Sequence, residues 1–207
     1  MAFDTLFKKR DYAAAEREWP DCGADLDPML SSRDSLRYQE ESMTTREIVM
    51  ERFSVTSSKA FEAVVAPLKA AVGRPDMGKF FKATYSARTF TELESAVQNG
   101  LGRTGLMMFM ELDQGAILRK ETGRGAPKIV RFVIGNPLTM KEMVKHVPDA
   151  GSYAPVTVLV DERPDGVHLT HDKMASLLAP YGNRDALAVA RDLDSKIENL
   201  LRESALQ

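Results

Sequence analysis

The chain has 207 residues, with 28 Lys and Arg against 30 Asp and Glu, three His, one Cys, one Trp and 11 Met, and 43% of it is apolar. Charged residues make up 28%, as in an average soluble domain, and the apolar content is too high for a disordered chain. The lone Cys22 excludes an internal disulfide framework, a cysteine zinc site and an iron–sulfur cluster held within one chain, which fits a reducing compartment.

Met1 to Leu6 lacks the basic-then-apolar order of a secretory signal, so a cytoplasmic location is expected. Leu101 to Leu112, the longest low-charge stretch, is interrupted by Arg103 and Glu111 and falls short of the ~20 apolar residues of a membrane helix, so no membrane partner is expected. Residues 1–44 hold 6 basic and 10 acidic groups, net −4, and residues 45–207 hold 22 and 20, net +2. The densest basic stretch, Arg119 to Arg131, surrounds Glu121 and is too thin a stripe to neutralise several phosphates, so no nucleic-acid partner is expected.

In chain order, Phe3, Leu6, Phe7 and Tyr12 recur at helical spacing up to Trp19, and Pro20 marks the end of that helix. Residues 20–44 read as an acidic, breaker-rich linker. The chain then divides into 1–44, a helix and linker, and 45–207, a domain. Arg46 to Val55 predicts a first strand, with Ser57 or Ser58 capping a helix whose face is Phe61, Val64, Val65, Leu68 and Val72 and which contains Pro67. Arg74 to Arg88 is mixed in pattern. Thr89 and Glu92 fit a capping box for a helix over 91–99. Gly105 to Leu112 and Lys128 to Gly135 read as strands. Asn136 suits a helix cap and Pro137 the first helical position, for a helix from Leu138 to about His146. Pro155 to Glu162 and Gly166 to His171 read as a hairpin. Two helices close the chain, capped by Asp172 and Asn183, the last with a stripe through Leu187, Ala190, Leu193, Ile197, Leu200 and Leu201. This order predicts an α+β two-layer sandwich, with a mainly antiparallel sheet of five strands packed against helices.

Ile134-Gly135-Asn136-Pro137, a helix with Met140 and Met143, then Pro148-Asp149-Ala150-Gly151 and the strand to Asp161-Glu162 resemble the domain-of-unknown-function family 302 over residues 46–203. The resemblance implies a compact α+β domain, often a homodimer, with no established chemistry. Family members frequently carry Asp-His after the middle strand, where this chain has Asp113-Gln114; Gln114 can hydrogen-bond but cannot exchange protons near neutral pH. Residues 1–37, through Phe3 to Phe7, Lys9 to Glu16, Trp19 to Asp21 and Arg33 to Leu36, resemble the truncated start of a polyketide-cyclase-like (SnoaL-like) domain.

The Gly135-Asn136-Pro137 corner offers free helix amides to an anion, with Lys141 the nearby cation, although an ordinary cap needs the same residues. Met108, Met110, Phe132, Met140 and Tyr153 are the candidates to line an apolar pocket, since thioethers adapt to irregular shapes; core packing and a haem edge are the competing roles of the methionines. His168 and His171 beside Asp172 invite a metal, but residues three apart in a strand face opposite sides, so ordinary hairpin residues are favoured and no metal or other cofactor is predicted. Asp113, Glu111 and Glu121 are the carboxylates near the middle corner.

The favoured reading is a homodimeric domain binding a small apolar or anionic ligand near Gly135-Asn136-Pro137, with Asp113 and Gln114 at the same site. One alternative is a lyase or isomerase on a small organic substrate with Asp113 as acid or base. Another is a structural homo-oligomer or docking module.

Overall fold

The computed structural model describes residues 45–123 and 125–206. The helix expected over 3–19, the acidic linker and the SnoaL-like resemblance fall outside these residues.

Alternating apolar side chains give the sheet one dry face. Five strands, β1 (Arg52–Ser57), β2 (Met107–Asp113), β3 (Ile129–Gly135), β4 (Val156–Arg163) and β5 (Gly166–Asp172), pair antiparallel in the order β1-β5-β4-β3-β2. Val130, Phe132 and Ile134 of β3 alternate with Arg131 and Val133, and Val156, Val158 and Val160 of β4 with Thr157 and Leu159; the first three of each strand are buried in the main core. The helices α1 (Phe61–Ala71) and α7 (Arg184–Leu206) join that core through Val64 and Leu68, and through Ala190, Ile197 and Leu201. Each fully buried Val or Leu contributes about 1.5–3 kcal/mol relative to exposure. The other helices are α2 (Met77–Ser86), α3 (Phe90–Gln98), α4 (Gly115–Thr122), α5 (Pro137–Val144) and α6 (Met174–Leu178). This is an α+β sandwich with a five-stranded antiparallel sheet, as the segment order predicts. No helix among the described residues is long and apolar enough to cross a membrane.

The hairpin forms with Arg163 opposite Gly166, leaving Pro164 and Asp165 as its loop. Gly166 has φ +137°, and a Cβ there would lie 2.6 Å from the Ser57 carbonyl oxygen, so only glycine fits.

Several local expectations are corrected. The first strand begins at Arg52, not Arg46; Thr45 to Glu51 has no regular structure, and Val49 stands in solvent. Ser57 does not cap α1: its hydroxyl donates to the Ala205 carbonyl at 2.8 Å, tying β1 to the end of α7. Two helices unmarked in the sequence reading are present. α2 is capped by Asp76, whose carboxylate accepts from the Lys79 N–H at 3.0 Å, and α4 follows β2 directly. Asp172 does not cap α6. That role falls to Asp194, twenty residues along the chain on α7, whose two carboxylate oxygens accept from the Met174 and Ala175 N–H groups at 2.8 Å each. Asn183 caps α7 as expected, accepting from Asp185 and Ala186.

A second, smaller core of Phe80, Val97 and Met107 joins α2 and α3 to the start of β2. It depends on a backbone crossing. A Cβ on Gly73 would lie 1.9 Å from the Gly100 oxygen, and one on Gly102 would lie 2.4 Å from the Gly73 nitrogen. Through this contact Gly73 donates to the Leu106 carbonyl at 2.9 Å and accepts from the Met108 N–H at 2.8 Å.

Candidate functional site

The corner at the end of β3 is held by one side chain. Asn136 Oδ1 accepts from the Leu138 N–H at 2.8 Å, capping α5, and Asn136 Nδ2 donates to the Gly105 carbonyl at 3.0 Å, fastening the corner to the loop before β2. Pro137 has no N–H to offer, and the Met140 N–H is bonded to the Asn136 carbonyl at 3.0 Å. The capping demanded by the helix therefore occupies donors that an anion would need.

Beside this corner lies a cavity of about 310 Å³. α2 supplies Phe80, Phe81 and Tyr85 to its wall, and Phe109 enters from β2, where the pairing register with β3 shifts between Met108 and Met110. Met140 and Met143 of α5, Leu193 of α7 and the Ala154–Pro155 segment close the other side. The aromatic rings contact one another. Phe80 meets Phe109 at 6.3 Å and 84°, and Phe81 at 5.6 Å and 63°, both edge-on; Phe81 and Tyr85 lie nearly parallel at 5.8 Å and 12°. Thr84, the one hydroxyl of α2 in the wall besides Tyr85, donates back to the Phe80 carbonyl at 3.0 Å. With Thr84 and Asn136 both bonded inside the fold, the wall presents mainly carbon and thioether to its interior.

Of the sequence candidates, Gly135, Asn136, Pro137 and Met140 come together in this wall. The others do not. Met108 and Phe132 are packed in the main core, and Met110 stands on the open side of the edge strand, 52% exposed. Tyr153 packs against the main core with its hydroxyl 3.1 Å from that of Tyr181, a contact that, with Asp149, pushes the Tyr181 phenol well above its ordinary range. Lys141 turns to a neighbouring groove, where it binds Glu142 and lies 5.0 Å over the Phe90 ring. Lys141 and Lys145 hold the Glu142 carboxyl down at about 2 by hydrogen bonding.

Asp113 and Gln114 are not near the corner. Met107 pairs with Gly135 and Asp113 with Val130, so Asp113 sits at the opposite end of β2, roughly 20 Å along the strand. Its carboxylate accepts from the Ala116 N–H at 2.9 Å, capping α4, and pairs with Arg119. Around it Lys69 pairs with Glu111 at 2.7 Å and Lys128 with Glu62 at 2.6 Å, lining a hollow of about 630 Å³. The expectation that Asp113, Gln114 and the corner share one site is corrected by this separation. His168 and His171 also part. His168 lies 2.9 Å from Asp165 on the open face, whereas His171, 1% exposed, lies 3.1 Å from Asp194 inside the core.

The sequence reading missed the aromatic side of the cavity. Met77, Phe80, Phe81, Thr84 and Tyr85 recur at helical spacing after Asp76, a cap-and-stripe pattern that would have marked α2.

The family model for the domain of unknown function DUF302 matches residues 81–204, beginning later than the expected residue 46. The solved structure titled as an uncharacterized conserved protein DUF302 from Bacillus stearothermophilus is similar, with a TM-score of 0.52 at 11% identity, over 74% of this chain and 97% of that one. At that identity the likeness is one of fold. No curated protein matches, and no comparison supports a SnoaL-like opening.

Proposed function

This chain belongs to the DUF302 family, whose matched segment carries most of the cavity wall, and on that premise we propose that it binds a small apolar molecule beside the Gly135-Asn136-Pro137 corner. One observation carries the reading: a cavity of about 310 Å³ walled by four aromatic rings and two methionines, whose Thr84 and Asn136 side chains are already bonded within the fold. Such a cavity is within the range of small-molecule pockets, and roughly twice the ~150 Å³ of an apolar cavity that accepts benzene. Water inside it would find few partners, so an apolar guest gains by displacing it. The anionic form of the ligand has less support, because the Asn136 side chain occupies the Leu138 amide and Lys141 pairs with Glu142. The acid–base alternative draws no support from Asp113, which caps α4 and pairs with Arg119 in an exposed groove.

Xenon is a class-neutral probe of a dry cavity. NMR of protein labelled at the methionine methyls, recorded under xenon pressure, is expected to shift Met140 and Met143 and leave the exposed Met110 still. The Met140→Trp variant, which fills the cavity, is expected to lose the response. Unmoved Met140 and Met143 signals in the unmodified chain would remove the proposal.

A further inference from the structure

We infer that the ligand of this cavity is a planar aromatic molecule of about two fused rings, an inference that rests on the apolar-ligand reading above. The two walls select for an aromatic ring in different ways. On the α2 side, Phe80, Phe81, Tyr85 and Phe109 present both edges and faces, at spacings of 5.6 to 6.3 Å. Those spacings fall within the 4.5–7 Å that aromatic pairs prefer, and a guest ring can add an edge-to-face or offset contact to the series. A saturated ring of the same size gains only buried area. On the α5 side, Met140 and Met143 bring thioethers, and sulfur favours aromatic rings over aliphatic groups.

The outer pair adds a second argument. Phe81 and Tyr85 line the cavity yet remain 40% and 83% exposed, with their rings 12° from parallel. Neither ring is held there by burial. Stacked aromatic surface left in water at the rim of a cavity gains most when another flat ring covers it. A volume of about 310 Å³ against the ~150 Å³ that takes one benzene sets the size at about two rings.

A matched pair of probes tests the class: 2-naphthol and its saturated counterpart decahydro-2-naphthol, titrated against the whole chain by methyl and amide NMR. The aromatic compound is expected to bind about tenfold tighter, shifting Met140, Met143 and the amides of α2. The double substitution Phe81→Leu with Tyr85→Leu keeps apolar surface at two exposed positions and is expected to reduce that preference to about twofold or less, with the circular dichroism spectrum unchanged. Equal affinity for the two probes, or a preference that survives the double substitution, would overturn the aromatic assignment while xenon still enters the cavity. If xenon also leaves Met140 and Met143 unmoved, the apolar-ligand reading falls with it.

Discussion

The two ends of β2 and β3 make a useful contrast. At the Gly135 end the cavity is about 310 Å³ and its wall is aromatic and thioether; at the Asp113 end the hollow is about 630 Å³ and its wall carries the ion pairs of Asp113, Glu111 and Glu62. The larger hollow is the poorer binding candidate. Its charges already have partners in solvent-facing pairs, each worth about 0–1 kcal/mol, and a guest would have to displace them. The smaller cavity leaves apolar surface without a partner. A sequence read for carboxylates leads to the Asp113 end, and physical chemistry favours the Gly135 end.

The contrast can be broken most severely at the backbone crossing behind the apolar end. Gly73→Ala puts a Cβ 1.9 Å from the Gly100 oxygen and is expected to cost roughly 3 kcal/mol or more, read as a fall in the urea midpoint. An unchanged midpoint would show that the loop yields and that the crossing does not hold the small core. Met143→Ala removes a side chain that is fully buried and also lines the cavity, and about 2–5 kcal/mol should be lost in the same measurement. A loss below about 1 kcal/mol would mean that the wall is loosely packed at that point.

The charged end should respond more gently. Asp113→Ala removes a cap on α4 and an exposed ion pair, for an expected loss of about 1 kcal/mol, with 2-naphthol affinity unchanged. A marked fall in affinity in this variant would couple the two ends and cancel their separation. The smallest effect belongs to Glu142, beside the apolar end. Its carboxyl, ordinarily near 4.5, is held at about 2 by hydrogen bonds from Lys141 and Lys145. A depressed carboxylate stabilises the fold above its unfolded value, so the contribution is present above about 4.5 and is lost as pH falls through about 2. Carboxyl-carbon NMR should show Glu142 titrating near 2. A midpoint near 4.5 would show that the two lysines do not hold it in solution.

Much of the fold was legible because it follows local rules. Alternation in residues 128–135, the Asn136-Pro137 start of α5 and the glycine after Pro164-Asp165 each state their structure within a few residues. The capping box was legible in part: Thr89 accepts from the Glu92 N–H as expected, but Glu92 reaches to the Arg88 N–H. What failed was non-local or diluted. Asp194 serves α6 from a helix later in the chain, and no spacing rule connects Asp194 with Met174. α4 opens at Gly115, a poor helix residue, so its charged remainder read as a basic stretch and not as a helix. The cavity was half legible: Gly135 to Pro137 and Met140 read as site candidates, whereas the α2 stripe of Phe80, Phe81 and Tyr85 is interleaved with Lys79 and Lys82, which gives the segment a mixed pattern and masks the helix.

The pairing of β1 with β5 sets an order of events during synthesis. Arg52 lies opposite Asp172, a separation of 120 residues, and its guanidinium donates to the Asp172 carboxylate at 2.6 Å. At about 5–20 residues per second, roughly 6–24 s pass after β1 is made before its partner exists. Through that interval Phe53 and Val55 have no strand beside them, and the ladder that finally covers them closes a long loop, the kind of contact that slows folding. The first strand is thus the last to join the sheet, and a nascent chain stalled before Gly166 carries it unpaired.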